Sequence, residues 1–167
     1  MNIKLLLLDV DGTMTDGKIT YTNRGDEIKS FCVQDGLAIV SWIKLGGHVA
    51  IVTGRESQIV AKRAQELKIS YLYQGVKNKQ KAVEEILEKL SITWDNVAAI
   101  GDDLNDLPML LKAKKSYVPA NANEYVKQKV DTILRASGGN GAVREMIEDL
   151  LQMSGRIGDF RAIWEVE

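Results

Sequence analysis

Blocks of apolar and polar residues along the chain predict strands and helices in alternation. Short, almost wholly apolar runs are typical of strands buried on both faces of a parallel sheet. They occur at Ile3–Asp9, His48–Thr53, Tyr71–Tyr73, Val97–Gly101 and Tyr117–Val118. Apolar residues at helical spacing lie between them, at Asp35–Leu45, Ser57–Leu67, Asn78–Leu90 and Gly141–Leu151. The pattern predicts an α/β fold with a doubly wound, mainly parallel sheet.

Two segments depart from this alternation. Gly17–Phe31 has β-forming residues on both sides of a turn-like Asn23-Arg24-Gly25, which predicts a β-hairpin directly after the first strand. The tail, Met153–Glu167, has two glycines and scattered apolar residues, and we expect an irregular arm. The length of 167 residues and the lack of repeats predict one domain over residues 1–167, which includes the hairpin (17–31) and the arm (153–167).

Composition narrows the class of protein without identifying a function. The 22 Lys and Arg residues nearly balance the 23 Asp and Glu residues, so no basic excess points to nucleic acid or an anionic membrane. The lone Cys32 excludes an internal disulfide framework and a multi-cysteine zinc site. The apolar run Leu5–Leu8 is far too short for a membrane span or a secretory signal. We expect a cytoplasmic protein with neither nucleic acid nor membrane as a partner.

Polar residues cluster where the predicted strands end, and ligands of open α/β sheets bind beyond those ends. The first strand runs into Asp9-Val10-Asp11-Gly12-Thr13-Met14-Thr15-Asp16. Later strands run into Thr53-Gly54-Arg55 and Gly101-Asp102-Asp103-Leu104-Asn105-Asp106, and Lys79 opens the helix after Tyr71–Tyr73. We expect these side chains to meet at one edge of the sheet.

The expected edge combines several carboxylates with one hydroxyl and one ammonium group. Crowded carboxylates repel one another, and a hard divalent cation would remove that conflict. Mg²⁺ is the natural candidate because it binds one or two carboxylates together with phosphate oxygens. Lys79, Thr53 and the backbone N–H groups of the Asp9–Asp11 turn would hold the other phosphate oxygens. Each motif alone is also compatible with a turn or a helix start, but their joint order favours a phosphate site.

The series DxDGTxTD, TGR, Lys and GDDxxD resembles the haloacid-dehalogenase superfamily of aspartate-nucleophile phosphatases over nearly the whole chain. It is similar in particular to the 3-deoxy-D-manno-octulosonate 8-phosphate (KDO 8-phosphate) phosphatases. The shared segments are the hairpin, Phe31–Gly36, Tyr71–Gly75 with Asn78-Lys79, and Gly138–Glu145. The resemblance implies a Rossmann-like sheet without a large cap domain. It also implies Mg²⁺-dependent hydrolysis of KDO 8-phosphate to KDO and phosphate, in the synthesis of lipopolysaccharide precursors.

The resemblance also implies roles for the first motif. Asp9 would attack phosphorus and form an aspartyl-phosphate, which splits one difficult hydrolysis into two steps. Asp11 would protonate the departing sugar oxygen and then activate water. The metal would be held by the Asp9 carboxylate, the Asp11 backbone carbonyl and Asp102.

Thr53 and Lys79 complete the implied catalytic set. The family spacing Gly-x-x-Asn-Lys selects Lys79 over its neighbour Lys77. Either Asp103 or Asp106 would orient Lys79, and the sequence leaves both open.

The implied substrate carries a phosphate and a carboxylate, and arginine suits bidentate binding of a carboxylate. By resemblance, Arg55 and Arg63 would bind the sugar acid, although a surface charge on a helix explains Arg63 equally well. The expected substrate contacts are Asp11, Val33, Gln34, Asp35, Gly36, Gly54, Arg55, Arg63 and Lys79. Relatives often carry Arg where this chain has Gln34 and Asn140. Phosphates of related nonulosonic acids, such as KDN 9-phosphate, therefore stay open as alternatives.

The missing cap domain would leave the site open in a monomer. The resemblance implies a homo-oligomer, in particular a tetramer in which hairpins pack together and a neighbour's C-terminal arm covers the site. A free hairpin and a disordered tail are the alternative. Without partners, the tetramer's apolar contacts would be left exposed; they are Ile19, Tyr21, Ile28, Phe31, Ile163 and Trp164.

Three other functions compete with a phosphatase. A phosphoaspartate receiver also combines carboxylates, Thr, Lys and Mg²⁺, but its phosphorylated Asp lies mid-chain, whereas Asp9 follows the first strand. A phosphomutase would need a lid that retains its intermediate. A catalytically silent subunit should have lost one of Asp9, Asp11, Lys79 and Asp102, and all four are present. We interpret His48 as a structural residue at the edge of a strand. Cys32 could line the pocket, but no base partner supports a nucleophilic thiol.

Overall fold

The computed structural model of the chain describes residues 2–166. Its strands are β1 (Leu5–Leu8), β2 (Thr20–Tyr21), β3 (Glu27–Ile28), β4 (His48–Val52), β5 (Tyr71–Tyr73), β6 (Val97–Ile100), β7 (Lys115–Val118) and β8 (Thr132–Ile133). Its α-helices are α1 (Val33–Lys44), α2 (Gln58–Glu66), α3 (Lys79–Leu90), α4 (Leu107–Leu110), α5 (Glu124–Lys127), α6 (Ala142–Met153) and α7 (Ile157–Ala162). Short 3₁₀ helices lie at Trp94–Asn96 and Leu104–Asp106.

Six strands form one parallel sheet in the order β5-β4-β1-β6-β7-β8. In register, Leu8 of β1 lies between Ile51 of β4 and Ile100 of β6. The chain leaves β1 towards β4 and β5, and it later returns to the opposite side of β1 at β6. The end of β1 is therefore the switch point at which such sheets bind ligands. The predicted doubly wound parallel sheet is confirmed.

The first strand is buried on both faces, which explains its unbroken run of leucines. Successive side chains of a strand point to opposite faces. Leu6 and Leu8 pack in the core beneath α1, α2 and α6, whereas Leu5 and Leu7 pack in the core beneath α3, α4 and α5. All four are fully buried. Each contributes roughly 1.5–3 kcal/mol of burial free energy, so β1 holds the residues that follow it in a rigid frame.

The inserted hairpin and the C-terminal arm lie outside the sheet. Within residues 17–31, β2 and β3 pair antiparallel. The prediction of an irregular arm is wrong, because α7 forms there and buries Phe160. Trp164 Nε1 donates a hydrogen bond to Ser41 Oγ of α1 at 2.9 Å, so the arm packs on its own chain. Its last residue, Glu167, lies outside the described residues. Among residues 2–166, every helix is too short or too polar to cross a bilayer.

The loop before α6 packs directly on the turn that follows β1. The backbone N–H of Gly139 donates to the carbonyl of Thr13 at 2.9 Å, and that of Gly138 donates to Asn121 Oδ1 at 3.0 Å. A Cβ atom on Gly138 would lie 1.8 Å from the carbonyl oxygen of Gly12. The glycine therefore allows two backbones to touch, and this contact supports the turn from behind.

We expect Gly138→Ala to lower the free energy of unfolding, because both backbones must shift to admit the methyl group. The cost should be about 1–3 kcal/mol, which lowers Tm by roughly 2–12 °C in a chain of this size. Gly158→Ala in α7 is the matched control, since its added Cβ meets no atom within 4 Å. Thermal unfolding followed by circular dichroism checks both variants. An equal Tm for the two alanine variants would contradict the close contact.

Candidate active site

The turn after β1 fixes the first candidate carboxylate at the switch point. The backbone N–H of Asp9 donates to the carbonyl of Ile100 in β6 at 3.1 Å, so this residue still follows the sheet. The chain then turns sharply, and Gly12 adopts a φ of +96°, which favours glycine. A Cβ on Gly12 would lie 2.1 Å from Asp102 Oδ2, so the glycine also makes room for that carboxylate. The sequence motif thereby brings the ends of β1 and β6 together.

Lys79 is buried between two carboxylates. It is the first residue of α3, whose N-cap Asn78 accepts a hydrogen bond from the backbone N–H of Lys81. Its Nζ donates to Asp9 Oδ1 and to Asp106 Oδ1, each at 2.5 Å. The side chain is only 2% exposed. The residue that the motif spacing selected therefore lies at the centre of the cluster.

Asp106, and not Asp103, contacts Lys79. The second oxygen of Asp106 accepts hydrogen bonds from the backbone N–H groups of Asp102 at 2.8 Å and Asp103 at 3.1 Å. Asp103 instead caps the 3₁₀ helix and accepts from the N–H of Leu104. The geometry thus separates two carboxylates that the sequence left as equal alternatives.

Negative charge exceeds positive charge in this cluster. One carboxylate oxygen from each of Asp9, Asp102 and Asp106 lies within 4.8 Å of the others, against the single ammonium of Lys79. Burial raises the pKa of Asp9, and Asp106 raises it further, although Lys79 opposes both. Burial, together with the charges of Asp106 and Asp103, raises the pKa of Asp102 to about 7. Burial lowers the pKa of Lys79, but Asp9 and Asp106 outweigh it and leave that pKa above its ordinary value.

This donor set fits a hard divalent cation. Three carboxylates and one ammonium leave a surplus of two negative charges when all are ionised. Oxygen ligands are those that Mg²⁺ prefers. Both oxygens of Asp106 already accept hydrogen bonds, one from Lys79 and the other from two backbone N–H groups. Asp9 and Asp102 are therefore the carboxylates that can offer an oxygen to a cation. The residues present therefore fit the Mg²⁺ that the sequence predicts.

Asp11 lies beyond the buried cluster and contacts the hairpin. Lys29 Nζ donates to Asp11 Oδ1, and Arg55 Nε lies 3.8 Å from Asp11 Oδ2. Glu27 pairs with both cations and accepts a hydrogen bond from Ser57 Oγ at 2.6 Å. Sequence reasoning missed Lys29 and Glu27. The two residues are two positions apart in and just after β3, so both side chains point to one face of the strand. This spacing is the signal in the sequence that indicates a charged pair.

A cleft of about 260 Å³ opens above these residues. Its lining residues are Asp9, Asp11, Gly17, Thr53, Gly54, Arg55, Asp102, Asp103 and Asn105. Gly17 and Asn105 are additions to the predicted set, and Asn105 belongs to the GDDxxD motif. A larger cavity of about 720 Å³ lies beside α6 and α7, and its lining shares no residue with the cleft. The carboxylate cleft is the candidate site because the reactive groups converge there.

The loop at the start of α1 and Arg63 lie outside the lining of this cleft. Asp35 is buried and its Oδ1 accepts from the backbone N–H of Arg144, so it caps α6. Burial raises the pKa of Asp35, in opposition to the N–H groups of α6. The Arg63 guanidinium packs 5.7 Å from the ring of Phe31 and pairs with Glu66 at 3.3 Å. Substrate contacts by Arg63 and by residues 33–36 stay predictions.

The switch-point cleft and its Asp–Lys–Asp cluster define the class as a haloacid dehalogenase-like hydrolase, and residues 71–147 match the family of that description. A KDO 8-phosphate phosphatase of Escherichia coli is 43% identical over 158 residues, which cover 95% of this chain and 84% of the relative. The chain belongs to the 3-deoxy-D-manno-octulosonate 8-phosphate phosphatase family. The predicted phosphatase of the haloacid-dehalogenase superfamily is confirmed.

Solved structures of two relatives share the whole fold. The phosphatase from Moraxella catarrhalis, in complex with magnesium ion, phosphate ion and a KDO molecule, has a TM-score of 0.94 and 40% identity. The match covers 98% of this chain and 94% of that one. A cobalt-bound phosphatase from Haemophilus influenzae has a TM-score of 0.91 and 39% identity, with 95% and 93% covered.

We expect Asp102→Asn to change how stability depends on pH and on added MgCl₂. The pKa of the Asp102 carboxyl is higher in the folded chain than in the unfolded one. Its contribution to the free energy of unfolding is therefore fully present below about pH 4, and it is lost as pH rises through about 7 and the folded chain must ionise this carboxyl. With EDTA, Tm of the parent should fall more steeply between pH 5 and 8 than Tm of the variant.

Added Mg²⁺ should raise Tm of the parent at pH 8, since a ligand at 100 times its Kd stabilises by about 2.7 kcal/mol. The variant should lose most of this rise. Asp95→Asn is the control, because Asp95 is exposed and pairs only loosely with Lys114. A variant with the parental pH slope and the parental response to Mg²⁺ would contradict the assigned charge surplus.

Proposed function

We propose that the chain is a Mg²⁺-dependent phosphatase that hydrolyses KDO 8-phosphate to KDO and phosphate through an aspartyl-phosphate on Asp9. The observation that carries the proposal is the burial of Lys79 between Asp9 and Asp106, beside Asp102, at the end of β1. The relative from Moraxella catarrhalis, which holds magnesium, phosphate and KDO, supports it. The proposal places the enzyme in the cytoplasm, in the synthesis of lipopolysaccharide precursors.

In the first half of the reaction, a carboxylate oxygen of Asp9 attacks phosphorus while the bond from phosphorus to the sugar oxygen breaks. Lys79 holds the Asp9 carboxylate in place, and Lys79 and Thr53 bind phosphate oxygens. Asp9, Asp102 and the backbone carbonyl of Asp11 would hold Mg²⁺, which when bound offsets the negative charge of the phosphate. Asp106 keeps the Lys79 ammonium aimed at the reacting group.

Asp11 is the proton donor and acceptor in this proposal. Its carboxyl group is 20% exposed in the cleft, so it can reach both the leaving sugar oxygen and water. It gives its proton to the sugar oxygen and then takes one from the water that attacks the aspartyl-phosphate. The bond between phosphorus and the Asp9 oxygen breaks in that second step, which frees phosphate and restores the Asp9 carboxylate. A positioned acid/base of this kind contributes about 10²–10⁴-fold to the rate.

Arg55 is the proposed contact for the sugar-acid carboxylate. Its guanidinium lines the cleft and is about half exposed. Its polar contacts among the described residues are all long, to Tyr21 Oη at 3.3 Å, Glu27 at 3.4 Å and Asp11 at 3.8 Å. A substrate carboxylate can therefore replace these partners with a bidentate pair. Gln34 and Asn140, which stand where relatives often carry Arg, favour a related nonulosonic acid phosphate such as KDN 9-phosphate as the second candidate substrate.

We also propose a homotetramer with the small phosphorylated sugar acid as its substrate. The exposed side chains of Ile19, Tyr21 and Ile28 on the hairpin support an interface there. The C-terminal arm, which Trp164 fastens to Ser41 of its own chain, would cover a neighbour's site in this tetramer.

The chain should release phosphate from KDO 8-phosphate in the presence of MgCl₂, and Asp9→Asn should lower kcat on the order of 10³-fold or more. The amide cannot act as the nucleophile, whereas its similar shape should preserve the fold. A malachite green assay over KDO 8-phosphate, KDN 9-phosphate and glucose 6-phosphate checks this. Parental activity in Asp9→Asn would overturn the mechanism, and a higher kcat/KM for KDN 9-phosphate would select the second candidate.

Arg55→Ala should raise KM for KDO 8-phosphate roughly 10- to 100-fold, the value of a lost charged hydrogen-bond pair. KM for p-nitrophenyl phosphate, which has no carboxylate, should change far less. Arg24→Ala, at the exposed tip of the hairpin, is the control. Equal effects of Arg55→Ala on the two substrates would refute carboxylate binding by Arg55.

A further inference from the structure

We propose that Lys29 is a positioning residue that orients Asp11, and this rests on the proposed role of Asp11 as proton donor. Lys29 follows β3 of the hairpin, whose side chains are mostly exposed, yet its own side chain is only 1% exposed. Its Nζ donates to Asp11 Oδ1 and lies 3.3 Å from Glu27 Oε1. An ammonium group is buried at such a position only when carboxylates surround it.

Lys29 is itself held in place from outside the hairpin. Its partner Glu27 accepts a hydrogen bond from Ser57 Oγ at 2.6 Å, and Ser57 is the N-cap of α2. Arg55 also donates to Glu27, at 3.4 Å. Three parts of the chain therefore meet at the Glu27–Lys29 pair: the turn after β1, the hairpin and the start of α2. This arrangement fixes the ammonium group relative to the sheet.

The contact makes the two oxygens of Asp11 different. Lys29 holds Oδ1, whereas the contact of Oδ2 among the described residues is the long one with Arg55 at 3.8 Å, and Asp11 lines the cleft. Oδ2 is thus the oxygen that exchanges the proton. As the bond from Asp9 to phosphorus forms and the bond from phosphorus to the sugar oxygen breaks, Oδ2–H passes its proton to that oxygen, and the sugar acid leaves with a neutral hydroxyl group.

A purely structural ion pair would also explain the burial of Lys29, and the leaving group separates the two roles. A sugar alkoxide leaves slowly unless it is protonated, whereas p-nitrophenolate leaves without a proton. Loss of a merely structural contact lowers both rates by the same factor. Loss of orientation at Asp11 slows the release of the leaving group more with KDO 8-phosphate than with p-nitrophenyl phosphate, whereas it slows the later hydrolysis of the aspartyl-phosphate equally with both.

The experiment compares Lys29→Met and Lys29→Arg, with Lys18→Met as the matched control. Lys18 lies at the start of the same hairpin, with a side chain 81% exposed and paired only to Asp16. We measure KM of the full chain with both substrates at saturating MgCl₂, and we take kcat as the single-turnover rate constant for release of the leaving group, which precedes hydrolysis of the aspartyl-phosphate. Lys29→Met should lower kcat for KDO 8-phosphate at least about tenfold more than kcat for p-nitrophenyl phosphate. This factor is smaller than the rate enhancement of about 10²–10⁴-fold that a positioned acid catalyst contributes. Lys29→Arg should restore part of the difference, and Lys18→Met should show none.

The ratio of the two kcat values does not depend on the fraction of folded enzyme, so a destabilised variant still tests the proposal. An unchanged ratio in Lys29→Met, while Asp11→Asn changes the ratio, overturns the role of Lys29 alone. An unchanged ratio in Asp11→Asn overturns the proton-donor role, and the positioning role with it. A rise in KM for KDO 8-phosphate at constant kcat would assign Lys29 to substrate binding and also overturn the proposal.

Discussion

The ion pairs of Lys79 with Asp9 and Asp106 are the contacts on which the site depends. The three residues come from the start of α3, the end of β1 and the 3₁₀ helix after β6, so all three elements must be correctly placed before the pairs can form. A buried ammonium without these partners would cost several kcal/mol. The parallel sheet supplies the required placement because the carboxyl ends of its central strands lie side by side.

The excess of negative charge around Lys79 weakens the fold and prepares the site at the same time. Burial raises the pKa of both Asp9 and Asp102 despite the Lys79 ammonium, which means that their ionised forms cost stability when no divalent cation is bound. The fully buried β1 and its two cores tolerate this cost. The same unbalanced carboxylates provide the oxygen ligands and the charge that a divalent cation requires. The surplus of carboxylate charge therefore both lowers the stability of the metal-free fold and favours the binding of a divalent cation.

The sequence was sufficient to predict the sheet and the strand ends, which depend on periodicity and topology. It was not sufficient for contacts that depend on the local geometry of a single turn. The apolar runs and helical spacing were sufficient for the parallel sheet. The strand ends, together with the family spacing that selects Lys79 over Lys77, were sufficient to predict that Asp9, Lys79 and Asp102 lie close together. The choice between Asp103 and Asp106 depends on the 3₁₀ helix, which turns Asp103 outward as a cap and Asp106 inward to Lys79. The arm helix α7 was missed because it has six residues and contains a glycine, too little for a periodic signal.

The hairpin contacts could not be predicted from the sequence. Alternation along a strand shows which side chains share a face, but it does not show which part of the chain packs against that face. In the folded chain, Tyr21, Glu27 and Lys29 reach back to Arg55 and Asp11, so the hairpin of the same chain contacts the rim of the cleft. These contacts act on the residues proposed for proton transfer and for carboxylate binding. The hairpin of 15 residues thus contributes to the rim of the cleft, and in the proposed tetramer a neighbouring subunit would add to that rim.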